Sequence, residues 1–147
     1  MNDYHYKFKM ELALACPILF HRIYTRWLLF PGDDSYGQEI GTGWYGLVRE
    51  LCLQAEKIIY TKAERKAVKN YFMEIKQKDG ALDITYCGED EEIRKLVNEA
   101  CRKSQSICEL CGKGAEFRES FPDLRMTLCD DHYSYIRKDR SEVIYEL

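Results

Sequence analysis

The sequence predicts an α+β fold, with a helical N-terminal half, an antiparallel β-hairpin and a small ribbon at the C-terminus. Three observations predict it. Residues 44–59 repeat apolar side chains at helical spacing. Residues 71–86 switch to alternation about an Asp-Gly pair. Cys108-Glu109-Leu110-Cys111 is followed, after 17 intervening residues, by Cys129-Asp130-Asp131-His132.

The first stretch, residues 8–30, has a helical rhythm in Leu12, Ala15, Cys16, Leu19, Phe20, Ile23 and Trp27. Pro17 interrupts it, because proline lacks the amide donor and clashes with the preceding turn. A second short helix is expected to begin at Pro17, where a missing N–H costs nothing. Pro31-Gly32-Asp33-Asp34-Ser35-Tyr36-Gly37 reads as a loop by its turn residues. After Gly41-Thr42-Gly43 comes the clearest helix. Trp44, Leu47, Val48, Leu51, Cys52, Ala55, Ile58 and Ile59 form one apolar face. Arg49, Glu50, Gln54, Glu56 and Lys57 are assigned to its wet face, and residues 61–67 to a charged connector.

Tyr71, Met73 and Ile75 then alternate with Glu74 and Lys76, and Leu82, Ile84 and Tyr86 with Asp83 and Thr85. Two such runs about Asp79-Gly80 predict a hairpin at about 68–87. Glu89-Asp90-Glu91-Glu92 opens another helix, since acids suit the positive end of the helix dipole. Its inner face is Ile93, Leu96, Val97, Ala100 and Cys101, and Arg102-Lys103 suit its end. Glu116-Phe117-Arg118 and Arg125-Met126-Thr127-Leu128 read as two short strands joined at Pro122-Asp123, expected to extend or lie against the hairpin sheet. A final helix is expected over 134–147. The chain thus divides into an α+β core over 1–104 and a ribbon module with its tail over 105–147.

The ribbon carries the strongest chemical signal. Each half of the motif places two soft ligands a tight turn apart, so both can point at one ion. Three thiolates and an imidazole suit tetrahedral Zn²⁺. Cys108, Cys111, Cys129 and His132 are therefore the predicted ligands of one structural zinc per chain. Four protein ligands leave no open position for water or substrate, so the ion reads as a staple of a zinc ribbon. It does not read as a catalyst.

Composition narrows the rest. Of 147 residues, 46% are hydrophobic, enough for a real core. The N-terminus lacks the basic-then-apolar layout of a signal peptide, and no apolar run is long enough to cross a bilayer. A soluble, intracellular protein is expected. Of the seven cysteines, Cys16, Cys52, Cys87 and Cys101 lie outside the motif. Cys52 and Cys101 fall at apolar helical positions, where a reduced cysteine packs as a small hydrophobe. Formal net charge is −3, and residues 105–147 are the most acidic third, with 6 basic and 9 acidic side chains. Nucleic-acid binding ordinarily calls for a basic patch, which the sequence does not display.

Three blocks together resemble a family of small proteins encoded by phages and prophages. They are Gly41-Thr42-Gly43-Trp44-Tyr45 with Leu47 and Leu51-Cys52, the hairpin from Ile75 to Ile84, and Ser104 to His132 with its Cys/His motif. The family pattern is a Gly-Asp-Gly-Trp-Tyr/Phe helix start, a Lys-Phe-Gly-Gly-Leu-Arg-Phe hairpin and a terminal zinc ribbon. The resemblance covers residues 40–133. The chain departs from it at Asp79-Gly80-Ala81, where Phe-Gly-Gly is usual, and at Asp83, where Arg is usual. The resemblance implies a phage gene expressed in a bacterial host cytoplasm. It carries over no activity. A counter-defence role of the anti-CRISPR kind is implied by gene class alone.

Other features receive plainer readings. Gly41-Thr42-Gly43-Trp44-Tyr45-Gly46 matches G-x-G-x-x-G, but residues 32–40 are polar and no parallel strand is foreseen, so a helix start is preferred to a dinucleotide site. In that reading Gly43 permits the entry turn, Thr42 caps and Trp44 packs on the core. His5 and His21 lack partners at ligand spacing, and His21 reads as a partly buried side chain. The acids at 89–92 read as a solvated helix start. Some of the 11 tyrosines are expected on a recognition surface. No nucleophile–base pair stands out, so no catalytic residue is assigned. The expected function is non-enzymatic: a zinc-binding protein that interacts with a bacterial host protein or complex, possible counter-defence included. The alternative is a nucleic-acid-binding zinc ribbon.

Overall fold

The computed structural model describes residues 3–24, 38–62, 70–120 and 123–145. Helix α1 (Asp3–Ala15) leads to a turn over 17–20 and a helical turn over 21–24. Strand β1 (Gln38–Glu39) and a 3₁₀ turn (Thr42–Trp44) precede helix α2 (Tyr45–Thr61). The hairpin is β2 (Tyr71–Lys78) and β3 (Ala81–Cys87), followed by helix α3 (Glu91–Ser104). Strands β4 (Glu116–Ser120) and β5 (Leu124–Leu128) and helix α4 (Asp130–Tyr145) complete the chain. This is the α+β class that the sequence predicts. The expected loop at 31–37 and residues 63–67 of the expected connector lie outside the described residues.

Pro17 does break the first helix, but the chain becomes helical again only at His21, after a turn. A proline break leaves the next amides without helical acceptors. Here the Glu56 carboxylate supplies them. Its two oxygens accept the Ile18 N–H at 2.8 Å and the Leu19 N–H at 3.1 Å. Glu56 is therefore buried, at 4% exposure, and not on the wet face of α2. The Leu19 carbonyl in turn accepts the Phe72 N–H at 2.9 Å, which ties this turn to the hairpin.

On α2 the apolar stripe faces inward as the periodicity requires. Trp44, Val48, Leu51, Cys52, Ala55 and Ile59 are buried, with Leu47 and Ile58 at its edges. Asp79 (φ 50°) and Gly80 (φ 81°) both adopt left-handed backbone, the geometry of a type I′ hairpin turn. The register Lys78↔Ala81 continues to Ile75↔Ile84. A bulge between Phe72 and Glu74 then shifts the alternation. As a result Phe72 and Ile75 share the core face, and Tyr71 and Met73 are only half-buried. Phe72 packs edge-on against Phe20 and Tyr86.

The sheet has a third strand that the sequence reading lacks. β1 pairs in parallel with β2, Gln38 opposite Ile75 and Glu39 opposite Lys76, giving the order β1-β2-β3. α3 covers the other edge. Its Ser104 hydroxyl accepts the Leu82 N–H at 2.9 Å, so β3 is partly closed by helix side chains instead of a further strand. Asp90 caps α3 by accepting the Ile93 N–H at 3.0 Å and pairs with Lys62. Ile93, Val97 and Ala100 are buried beneath it.

The ribbon strands β4 and β5 form their own two-stranded sheet and do not extend the hairpin sheet. They lie against the hairpin turn. Thr127 donates its hydroxyl to the Gly80 carbonyl at 2.5 Å, and Gln77 donates to the Arg125 carbonyl at 2.7 Å. α4 starts at Asp130, four residues earlier than expected, so the last metal-motif residue sits in its first turn. No helix among the described residues is long and apolar enough to cross a membrane.

Candidate metal centre

The first ligand pair is held by a tight loop. The Gly112 N–H donates to the Cys108 carbonyl at 2.9 Å, and the Cys108 N–H to the Lys113 carbonyl at 2.8 Å. Gly112 turns the chain at φ 81°, a conformation that disfavours any residue with a Cβ. An isolated bridge between Ile107 and Gly114 closes the base of the loop. The second pair straddles the junction of β5 and α4. Cys129 directly follows the strand, its carbonyl accepts the Tyr133 N–H at 2.9 Å, and its sulfur lies 3.5 Å from the His132 nitrogen. Three residues of spacing at a helix start place both side chains on one side.

These loops bring all four predicted ligands together. The sulfur and ring-nitrogen atoms of Cys108, Cys111, Cys129 and His132 lie within 4.8 Å of one another. Cys111 Sγ is 3.7 Å from Cys129 Sγ, Cys108 Sγ is 3.7 Å from His132 Nδ1, and Cys129 Sγ is 3.2 Å from the same nitrogen. Zinc–sulfur bonds of about 2.3 Å and zinc–nitrogen bonds of about 2.0–2.1 Å set tetrahedral edges of roughly 3.5–3.8 Å. The donor types suit a small tetrahedral cation, and two of these three separations match such edges while the Cys129–His132 one is shorter. Cys108 and Cys129 are buried, His132 is half-buried and Cys111 is exposed. Burial raises the Cys108 thiol, but the amides of Cys129, Leu110 and Cys111 outweigh it and bring the thiol down to about 6. Such amides favour the thiolate, the form that binds metal.

What lies around the centre was not legible in the sequence. Glu109, between the first two ligands, is buried at 3% exposure. Its carboxylate accepts the Thr127 N–H at 2.7 Å and the Gln77 amide at 3.3 Å, and its own N–H donates to the Thr127 carbonyl at 3.0 Å. The loop is joined to β5 on one side and to the hairpin on the other. Arg118 brackets the second pair, donating to the Leu128 carbonyl at 3.2 Å and to Asp130 at 2.6 Å, with its guanidinium over the Tyr133 ring. An unpaired acid between two ligand cysteines was the available signal for Glu109.

The Gly41–Trp44 segment is the larger surprise. Gly43 donates its N–H to the Glu109 carbonyl at 2.8 Å, Thr42 its hydroxyl to the Leu110 carbonyl at 3.1 Å, and Trp44 its indole N–H to the Ile107 carbonyl at 2.8 Å. A Cβ on Gly41 would lie 2.2 Å from the Glu109 oxygen, and one on Gly43 2.0 Å from the Cys108 oxygen. Thr42 therefore does not cap α2: Trp44 holds that cap position and Gly41 that of the 3₁₀ turn, both without a side-chain bond. The parallel pairing of β1 with β2 does supply the strand that a dinucleotide fingerprint needs. The Gly43 amide and the space above both glycines are nonetheless occupied by the metal-motif loop, so a phosphate has no place there.

Cys16 and Cys52 are fully buried, and burial, with Glu56 nearby, pushes the Cys16 thiol up to about 12. Cys101 is half-buried on α3, and burial raises its thiol. His21 is exposed, not partly buried. Its Nδ1 lies 2.6 Å from the Ile18 carbonyl. The His5 side chain lies outside the described residues. The acids at 89–92 form a capped helix start. Among the described residues, the Cys/His group is the only metal-type cluster. No protein-family model matches the chain, and no curated protein or solved structure is significantly similar to it.

Proposed function

We propose that this chain is a non-enzymatic interaction protein of phage origin, stapled by one structural Zn²⁺, that binds a bacterial host protein or complex. The observation that carries the reading is the closed donor set at Cys108, Cys111, Cys129 and His132, embedded between the helix start and the hairpin. When bound, zinc supplies cross-linking: it joins the loop, β5 and α4. The residues around it supply hydrogen bonds that hold the ligand-bearing segments. The phage origin rests on the motif order described above, and the counter-defence role on gene class alone.

A protein partner is favoured over nucleic acid by what the ribbon exposes. Phe117 and Tyr135 are large exposed side chains, 47% and 70% accessible. Glu116, Glu119, Asp123 and Asp131 are exposed on the same module, and carboxylates repel phosphates. The test is capture of partners from a bacterial lysate with tagged protein, then binding of the recovered partner across a salt series with DNA as competitor. A modest salt dependence, no competition by DNA and loss of binding in Tyr135→Asp are expected. A steep salt dependence with full competition by DNA establishes the nucleic-acid alternative instead.

A further inference from the structure

We infer that the Gly41–Trp44 turn makes the metal centre part of the main core, so that zinc occupancy governs the order of α2 and the hairpin as well as that of the ribbon. This rests on the zinc reading above and extends it from a local staple to a switch for the whole chain.

Three carbonyls of the metal-motif loop, at Ile107, Glu109 and Leu110, accept donors from Trp44, Gly43 and Thr42. Trp44 is fully buried, so its indole N–H has the Ile107 carbonyl or nothing. A buried donor that loses its acceptor is costly, so displacement of the loop is penalised from the core side. The glycines deepen the coupling. Gly41 and Gly43 let the carbonyls of Glu109 and Cys108 approach closer than any side chain permits. The loop therefore fills the space over the first turn of α2. A second brace runs through the hairpin, where Gln77 reaches Arg125 and Glu109, and Thr127 reaches Gly80.

Coupling of this kind is reciprocal. If the core turn holds the ligand loop in its binding shape, zinc holds the core turn by the same factor. Loss of the ion frees the loop, withdraws acceptors from Trp44 and Gly43, and opens the N-terminal end of α2. The availability of zinc is then a condition for the folded state of residues far from any ligand.

The experiment is hydrogen exchange of the full chain during titration with a zinc chelator, with released metal measured in the same samples. Expected is loss of protection in peptides from α2 and from β2–β3 in step with metal release from the ribbon. Thr42→Val, at an exposed site, is expected to lower zinc affinity about two- to tenfold, the worth of one hydrogen bond. Trp44→Phe is expected to do the same or more. Ribbon peptides that open alone, while α2 and the hairpin stay protected, overturn the inference. So does unchanged zinc affinity in both variants. A chain that binds no zinc at all brings down the metal reading first, and this inference with it.

Discussion

The Glu56 carboxylate accepts the amide of Ile18 at 2.8 Å, across 38 residues of sequence, with its second oxygen on Leu19. An acid on a helix thus completes the turn that a proline left open elsewhere. Glu56→Ala should cost about 2–4 kcal/mol, because both amides lose their acceptor and at least one is buried. Chemical denaturation of the variant checks this. A loss below about 0.5 kcal/mol would show that water replaces the carboxylate.

The same group has a pH signature. Burial raises the Glu56 carboxyl above its usual 4.5, against the opposing pull of the Ile18 and Leu19 amides and of His21. A carboxyl raised on folding contributes stability that is full below the unfolded value and lost as pH rises through the folded one. Relative to Glu56→Gln, the native chain should lose stability as pH climbs from about 4.5 towards neutrality, then level off. The comparison is made between the two proteins at each pH, so that acid release of metal from the ribbon cancels. A difference that grows with pH would reverse the sign and refute the argument.

Leu51 lies at 4% exposure in the middle of the α2 stripe. Leu51→Ala should destabilise by about 2–5 kcal/mol, through lost transfer energy and the cavity left behind. A nearly unchanged denaturation midpoint would place the stripe outside the core.

Gly80 occupies the left-handed second position of the hairpin turn, at φ 81°, and a Cβ there would meet the Phe117 ring at 2.5 Å. Gly80→Ala should cost about 1–2 kcal/mol from backbone strain alone. It should also disturb the ribbon, since the Gly80 carbonyl accepts from Thr127. Denaturation together with the ring resonances of Phe117 reads both effects. A stability loss with no change at Phe117 would confine the effect to the turn.

Cys111 is the exposed member of the four candidate ligands. Cys111→Ser should reduce bound zinc measured by elemental analysis and lower the melting temperature, because metal ligation contributes directly to folding in small modules. Native protein purified without chelator and free of zinc would sink the metal assignment.

The sequence by itself determined what neighbouring residues decide among themselves. Asp79-Gly80 set the hairpin turn, because few other pairs adopt two left-handed conformations in a row. The 3.6-residue stripe set the inner face of α2, and Asp90 with Glu91 and Glu92 set the start of α3. The four candidate ligands were legible because a metal constrains residue type and short spacing at once. Only the tertiary structure decided the roles that depend on a distant partner. Periodicity placed Glu56 in water, since nothing in its neighbourhood announces the two amides freed near Pro17. The bulge at Met73 moved Phe72 into the core, and the parallel pairing of β1 rested on β2, well along the chain. Gly41-Thr42-Gly43-Trp44 stood out as a motif, yet its partner loop lies more than sixty residues away. A hydrogen bond or a close approach needs two surfaces, and a local pattern describes only one of them.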